Sequence, residues 1–363
     1  MKRQILFIAP FPPPLHGSAV VSQQIRDSLR IREKYDCDFI NMSTSRSVTE
    51  IGSFRWKKVW RMIAALGSTV WKLATKRYDL CYLALTCHGP GFLKDSPFAL
   101  ICKLFRRPIV IHQHNKGMSE DIDRWPYRFM LPWVYKNAKV ILLSERLYPD
   151  IASVVSHDQV LICPNGIPRQ DYVPVKHPHS TPKLLFLSNM MESKGVLVLL
   201  DALKELHDKE EDFLCDFVGQ ETIEIDADRF NLEISQRQLT DSVFFHGSKS
   251  GAEKESFFAE ADIFIFPSYQ ETFGLVNLEA MAHALPIVAT DEGGIPDIVI
   301  DGETGIICPR KDAHSLALAI HRLNENPALC QEMGKKGRER FESFYTLKCF
   351  EERMLDCLNQ SMR

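Results

Sequence analysis

The chain has no C-x-x-C pair among its ten cysteines, and several of these stand in apolar segments (Cys81, Cys163, Cys215). That distribution reads as buried free thiols, which excludes a disulfide scaffold and a zinc ribbon and points to a reducing, cytoplasmic setting. No apolar run is long enough to span a bilayer; the longest, such as 5–11, is cut by Pro10. Met1-Lys2-Arg3 followed by Ile5-Leu6-Phe7 imitates a leader, but the Pro12-Pro13-Pro14 run closes the apolar stretch, so a first strand is expected there. Low-complexity tracts and repeats of solenoid length are also missing, as is any G-x-G-x-x-G, which argues against a dinucleotide site. No nucleic-acid module is present either.

The 363 residues suffice for two hydrophobic cores. Net charge is only −3, yet residues 1–175 hold 25 Lys/Arg against 14 Asp/Glu, and 176–363 hold 19 against 33. The halves are thus oppositely charged, and the basic one is expected to face an anionic partner. Short apolar strands alternate with helical stretches in both. Strands are expected at 5–9, 37–40, 80–84, 109–112, 140–144 and 160–164, then at 184–187, 214–218, 243–246, 262–266, 287–290 and 305–308. This is the pattern of α/β domains with doubly wound parallel sheets. A proline-rich segment at 169–182 reads as the linker between a domain at 1–168 and one at 183–346.

The most informative run covers 267–305. Glu271 and Glu279 stand eight positions apart at a strand-to-helix junction, with a Phe273-Gly274 turn between them and a helix expected over 278–284. Parallel sheets bind ligands at such junctions. The helix-opening amides of Gly274 and Leu275 suit an anion, and the carboxylates suit hydroxyl hydrogens. A ligand that is half phosphate and half sugar matches both. Surface carboxylates at this spacing also arise by chance, so the context matters: Gly293-Gly294, Pro296-Asp297 and Asp301-Gly302-Glu303-Thr304-Gly305 complete a compound pattern. Upstream, Ser193-Lys194-Gly195 places a cation where a helix opens, ready for a diphosphate.

This pattern resembles the signature of glycosyltransferase family 4, over nearly the whole chain and most closely from Lys194 to Gly305. The resemblance implies a GT-B fold: two Rossmann-like domains with a cleft between them and a last helix (347–363) crossing back to the first. It implies retaining transfer of a sugar from a nucleoside-diphosphate donor to a hydroxyl acceptor, with the first domain taking the acceptor and the second the donor. Glu279 would bind the ribose, Glu271 the donor sugar, the amides of Phe273, Gly274 and Leu275 the sugar and phosphate, and Lys194 the departing diphosphate. Asn189 stands where the family has an arginine and Ala284 where it commonly has glycine. Gly17 belongs to a loop resembling the family's glycine-containing loop beneath the donor phosphates, and His114 takes the position of its active-site histidine.

Other readings stay beside these. His112 and His114 share a strand face, an arrangement that also suits packing or metal binding. Three D-x-D strings (Asp36/Asp38, Asp121/Asp123, Asp226/Asp228) are expected to be solvated acidic pairs, so no metal cofactor is expected. The stretch 54–77 mixes Trp with Lys and Arg and has no acidic residue, fitting either an anionic membrane surface or a core-facing helix with a solvated basic face. The expected partners are a nucleotide-sugar donor and a glycan or lipid-linked acceptor, with no nucleic acid. A sugar-nucleotide epimerase or a silent scaffold are the alternatives.

Overall fold

A computed structural model describes residues 2–13, 17–43, 56–170 and 179–362. Pro14, Leu15 and His16 of the proline-rich loop, Phe54 and Arg55 of the basic stretch, and 171–178 of the expected linker lie outside the described residues. The chain divides into two units, Met1–Asn165 with Lys348–Arg363, and Gly166–Leu347.

The first unit is built on β1 (Arg3–Ala9), β2 (Tyr35–Asn41), β3 (Leu80–Leu83), β4 (Ile109–His112), β5 (Lys139–Leu142) and β6 (Val160–Ile162). They form one parallel sheet in the order β2-β1-β3-β4-β5-β6. Because helices cover both faces, its inner strands are apolar runs rather than alternating ones, and Ile5, Leu6, Leu80, Cys81, Val110 and Ile111 have no exposed surface. The final helix, Leu347–Ser361, belongs to this unit from Lys348 onward. Its buried Phe350, Met354, Cys357 and Leu358 recur at helical spacing and contribute roughly 1.5–3 kcal/mol each for the larger side chains. Arg30 pairs with Glu351 and Glu352, Tyr35 donates to Asn359 at 2.6 Å, and Arg353 donates to the Pro164 carbonyl at 3.2 Å.

The second unit holds β7 (Lys183–Leu187), β8 (Leu214–Val218), β9 (Val243–Phe245), β10 (Ile263–Phe266), β11 (Ile287–Thr290) and β12 (Gly305–Cys308). Their order is β12-β11-β10-β7-β8-β9, again all parallel. Winding proceeds outward in one direction from β7 and in the other from β10, so the loops after these two strands flank the switch point where such sheets take ligands. Phe186, Phe217 and Phe230 pack at ring separations of 5.0 and 4.9 Å beneath it. Arg169 and Gln170, expected in the linker, pack on this unit through Glu342 and Glu255.

One expectation needs correction in part. The D-x-D strings are not merely solvated. Asp38 accepts from Lys72, Lys76 and Tyr78; Asp121 is buried, accepting from the Gly89 amide and Arg124; Asp226 caps the helix Ala227–Gln236. Asp38 and Asp121 thus answer donors that sequence spacing did not display, while Asp36, Asp123, Asp226 and Asp228 are exposed as expected. Of the two orientations left open for the basic, Trp-rich stretch, the helix Trp56–Thr75 takes the one with its tryptophans outward. Thr69 and Leu73 are its buried residues, while Trp56, Trp60, Ile63, Val70 and Trp71 are exposed and recur at helical spacing along the outer face. Among the described residues no helix is long and apolar enough to cross a membrane.

Candidate functional site

At the switch point of the second unit, the loops after β7 and β10 interlock. Gly195 adopts φ +81°, and a Cβ there would stand 2.2 Å from the Pro267 carbonyl oxygen, so the close approach requires glycine. The Tyr269 amide donates to the Ser193 carbonyl at 3.0 Å. This seam delivers the Lys194 ammonium to the Gln270 carbonyl at 3.0 Å and to Oε2 of Glu271 at 2.9 Å. Both side chains keep 20% of their surface exposed, enough to meet a ligand. The other carboxylate oxygen of Glu271 accepts from the Thr272 amide at 2.9 Å and the Phe273 amide at 3.4 Å. The Phe273 amide is therefore committed to Glu271 here, and the Phe273 ring is buried as an anchor.

Gly274 opens the following helix at φ +83°, where a Cβ would fall 2.7 Å from Nδ2 of Asn277. The helix spans Leu275–Ala282, starting three residues earlier than the sequence suggested, because left-handed Gly274 sets its start. It stops short of Ala284, which holds φ +53° although it is not glycine. Glu279 sits on this helix, and both its oxygens accept from Lys254 Nζ at 2.9 Å. Burial raises the Glu279 carboxyl above the ordinary glutamate value; Lys254 opposes that rise and Glu255 adds to it. Lys254 comes from the helix Gly251–Glu260, and no sequence signal linked it to Glu279.

A third loop, after β11, closes over the first two. Gly293, at φ +53°, brings its backbone so near that a Cβ would lie 2.3 Å from the Glu271 carbonyl oxygen. The Gly294 amide donates to the Thr272 carbonyl at 2.9 Å. Glu292, 1% exposed, accepts the Glu271 amide on Oε1 at 3.2 Å and Arg310 on Oε2 at 2.8 Å. Arg310 also lies 3.3 Å from Asp291, and the Lys311 ammonium sits 4.5 Å above the Tyr269 ring. Glu292 directly precedes the Gly293-Gly294 pair visible in the sequence; nothing marked Arg310.

Lys194, Glu271, Phe273, Gly274 and Leu275 are thus gathered in one place, with Glu279 farther along the helix and Asn189 exposed on the loop after β7. Gly17 and His114 belong to the first unit. Gly17 opens the helix Gly17–Asp27, and His114 follows β4, half-exposed, its ring centroid 4.0 Å from that of His112. His112 is fully buried against the Tyr82 hydroxyl, 2.6 Å from Nδ1, and burial holds it well below the ordinary histidine value. It is a neutral packing residue. Among the described residues no group of three or more His, Cys, Asp or Glu is placed to hold a metal.

Chemically, the second unit offers carboxylates that accept hydroxyl hydrogens, an ammonium suited to an anion, and a helix start beside them. Two doubly wound parallel units in one chain define the GT-B class of fold. Residues 170–340 match the family model described as glycosyl transferases group 1. The chain is 30% identical over 211 residues to D-inositol 3-phosphate glycosyltransferase of Arthrobacter sp. (strain FB24), a match spanning 54% of this chain and 50% of that protein. The chain thus spans about half the length of that curated relative. Among solved structures, sucrose-phosphate synthase of Thermosynechococcus elongatus superposes with a TM-score of 0.78 at 21% identity, over 99% of both chains. Anabaena HepE in complex with UDP gives 0.77 at 16% identity, over 99% of this chain and 100% of that one. At these identities the structural likeness establishes the fold.

Proposed function

We propose that this chain is a retaining, metal-independent glycosyltransferase of family 4. It moves a hexose-type sugar from a nucleoside-diphosphate sugar to a hydroxyl of a glycan or lipid-linked acceptor in bacterial surface polysaccharide or lipopolysaccharide assembly. The observation that carries the reading is the Lys194–Glu271 contact at the switch point, within the segment that matches the group 1 family model. In this reading Glu279 takes the ribose hydroxyls, Glu271 a hydroxyl of the donor sugar, and the amides of Gly274 and Leu275 the sugar and phosphate. Phe273 anchors the loop, and Asn189 and Gly17 contribute uncharged contacts to the donor phosphates. Lys194 supplies the positive charge that stabilises the departing diphosphate, whose charge grows in the transition state. His114 acts beside the transferred sugar.

The anomeric carbon loses its bond to the diphosphate oxygen and gains one to the acceptor oxygen, while the acceptor proton passes to the departing diphosphate. Both oxygens of Glu271 and of Glu279 accept hydrogen bonds, which supports a reading without a covalent nucleophile. In that reading leaving and entering oxygens share one face of the sugar, and configuration is retained. Incubation with nucleotide sugars and acceptor lipids, with the product anomer read by NMR, tests this; inverted product, or activity that EDTA abolishes and Mn²⁺ or Mg²⁺ restores, would overturn it.

The first unit supports the lipid-linked acceptor in this reading, and we place it at the inner face of the cell membrane. The outer stripe Trp56, Trp60, Ile63, Val70 and Trp71 is larger than the isolated apolar residues usual on soluble surfaces, and Lys57, Lys58 and Arg61 flank it. Lys72 and Lys76, bound to Asp38, belong to the fold rather than to this surface. Flotation with anionic vesicles should recover the protein at low salt and lose it at high salt; recovery unchanged by Trp56→Ser, Trp60→Ser and Lys57→Ser together would refute the docking.

A further inference from the structure

Glu292 is a buried carboxylate for which the transfer chemistry above has no use. Only 1% of it is exposed, and both of its oxygens are occupied, one by the Glu271 amide and one by Arg310. Taking a carboxylate out of water is costly unless its partners are well placed, and a simple turn would not need one. Its position explains the expense. The Glu271 backbone is clamped from the β11 side at successive points: its amide by Glu292, its carbonyl by the close approach of Gly293, and the next carbonyl, of Thr272, by the Gly294 amide. From the β7 side the Glu271 side chain is met by Lys194. Arg310 completes the device from the loop after β12, neutralising Glu292 so that no bare charge opposes an anion nearby.

We propose that Arg310 and Glu292 form a positioning pair that fixes the Glu271 backbone, and through it the carboxylate that holds the transferred sugar. The pair acts on the sugar end of the donor, because it meets the Glu271 backbone, whereas Glu279 and Lys254 at the nucleoside end stand on two helices. This assignment rests on the glycosyltransferase reading for its catalytic consequence, while its structural half stands apart from that reading.

Glu292→Ala should lower kcat roughly 10- to 100-fold, the range typical for removing an outer partner that orients a working residue, with free UDP affinity unchanged. Glu292→Gln keeps an oxygen for the Glu271 amide and should recover most of the loss. Arg310→Ala, at a half-exposed position that leaves the core intact, should fall between the two. Amide hydrogen exchange supplies the readout that needs no substrate: protection at Glu271 and Thr272 should drop in Glu292→Ala and return in Glu292→Gln, with thermal unfolding monitored alongside. Should no nucleotide sugar turn over in the wild type, the enzymatic reading fails while the exchange result still decides the positioning. Unchanged exchange at Glu271 in both Glu292→Ala and Arg310→Ala overturns the proposal, as does a fall in UDP affinity matching the fall in kcat.

Discussion

Replacing Lys254 by methionine keeps the apolar stem and removes the ammonium that touches both oxygens of Glu279 at 2.9 Å. In dry surroundings such a contact would carry many kcal/mol, but the two side chains are 24% and 25% exposed, so solvent screens much of it. Breaking a half-buried pair from one side should cost about 1–2 kcal/mol of folding stability near neutral pH. The pH dependence is the sharper signature. Burial already raises Glu279 above the ordinary glutamate value, so the folded state holds its proton more tightly than the unfolded one. Its contribution to stability is therefore fullest at the acid end and declines as pH rises through the window between the ordinary and the raised value. On the proposed reading nucleotide binding runs the opposite way, because ribose hydroxyls held by Glu279 need the ionised carboxylate. Lys254→Met widens that window upward, and both trends should shift to higher pH. Calorimetric titration with UDP and thermal unfolding, each across the acid-to-neutral range, read the two trends separately. Affinity and unfolding profiles that superimpose on those of the wild type would refute the idea that Lys254 keeps Glu279 ionised.

Asp38 supplies a second pH test: burial pushes it up, but hydrogen bonds from Lys76, Tyr78 and Lys72 more than offset this and lower it to about 2. Its stabilisation, about 2 kcal/mol, should be intact above the ordinary aspartate value and be lost as pH falls from there toward about 2, and Asp38→Asn should flatten that part of the acid unfolding curve. Ala284→Gly should stabilise the second unit by roughly 1 kcal/mol, since Ala284 holds a left-handed conformation that costs an L-residue about that much; a lower unfolding temperature would contradict it. Asn189→Arg should tighten UDP binding by adding a cation on the exposed loop after β7, and weaker binding would show that Asn189 makes a contact of its own.

The inner strands were legible because parallel sheets covered on both faces need unbroken apolar runs, such as Ile263–Phe266 and Ile287–Thr290, and turns bound those runs. That Lys194 and Glu271 each follow a strand was legible; that those two strands are neighbours, so that the ammonium meets the carboxylate, was not. What stayed hidden depends on which helix face turns inward and which distant loop closes over a site. Lys254 and Arg310 reach their carboxylates from other elements, so no local pattern encodes the pairing. The outward tryptophans of Trp56–Thr75 follow from packing on the first unit, where Thr69 and Leu73 turn inward, a choice between two orientations that the sequence left open.

The central claim is that the second unit grips a nucleoside diphosphate by Glu279 and its sugar by Glu271. Calorimetric titration of the wild type, Glu271→Ala and Glu279→Ala with free UDP and other nucleoside diphosphates tests it most directly. The account predicts that a nucleoside diphosphate binds the wild type, that Glu279→Ala weakens it by roughly 1–3 kcal/mol, and that Glu271→Ala leaves that affinity nearly intact while abolishing sugar transfer. Equal losses of nucleotide affinity in the two variants, or no binding of any nucleoside diphosphate to the wild type, would contradict it.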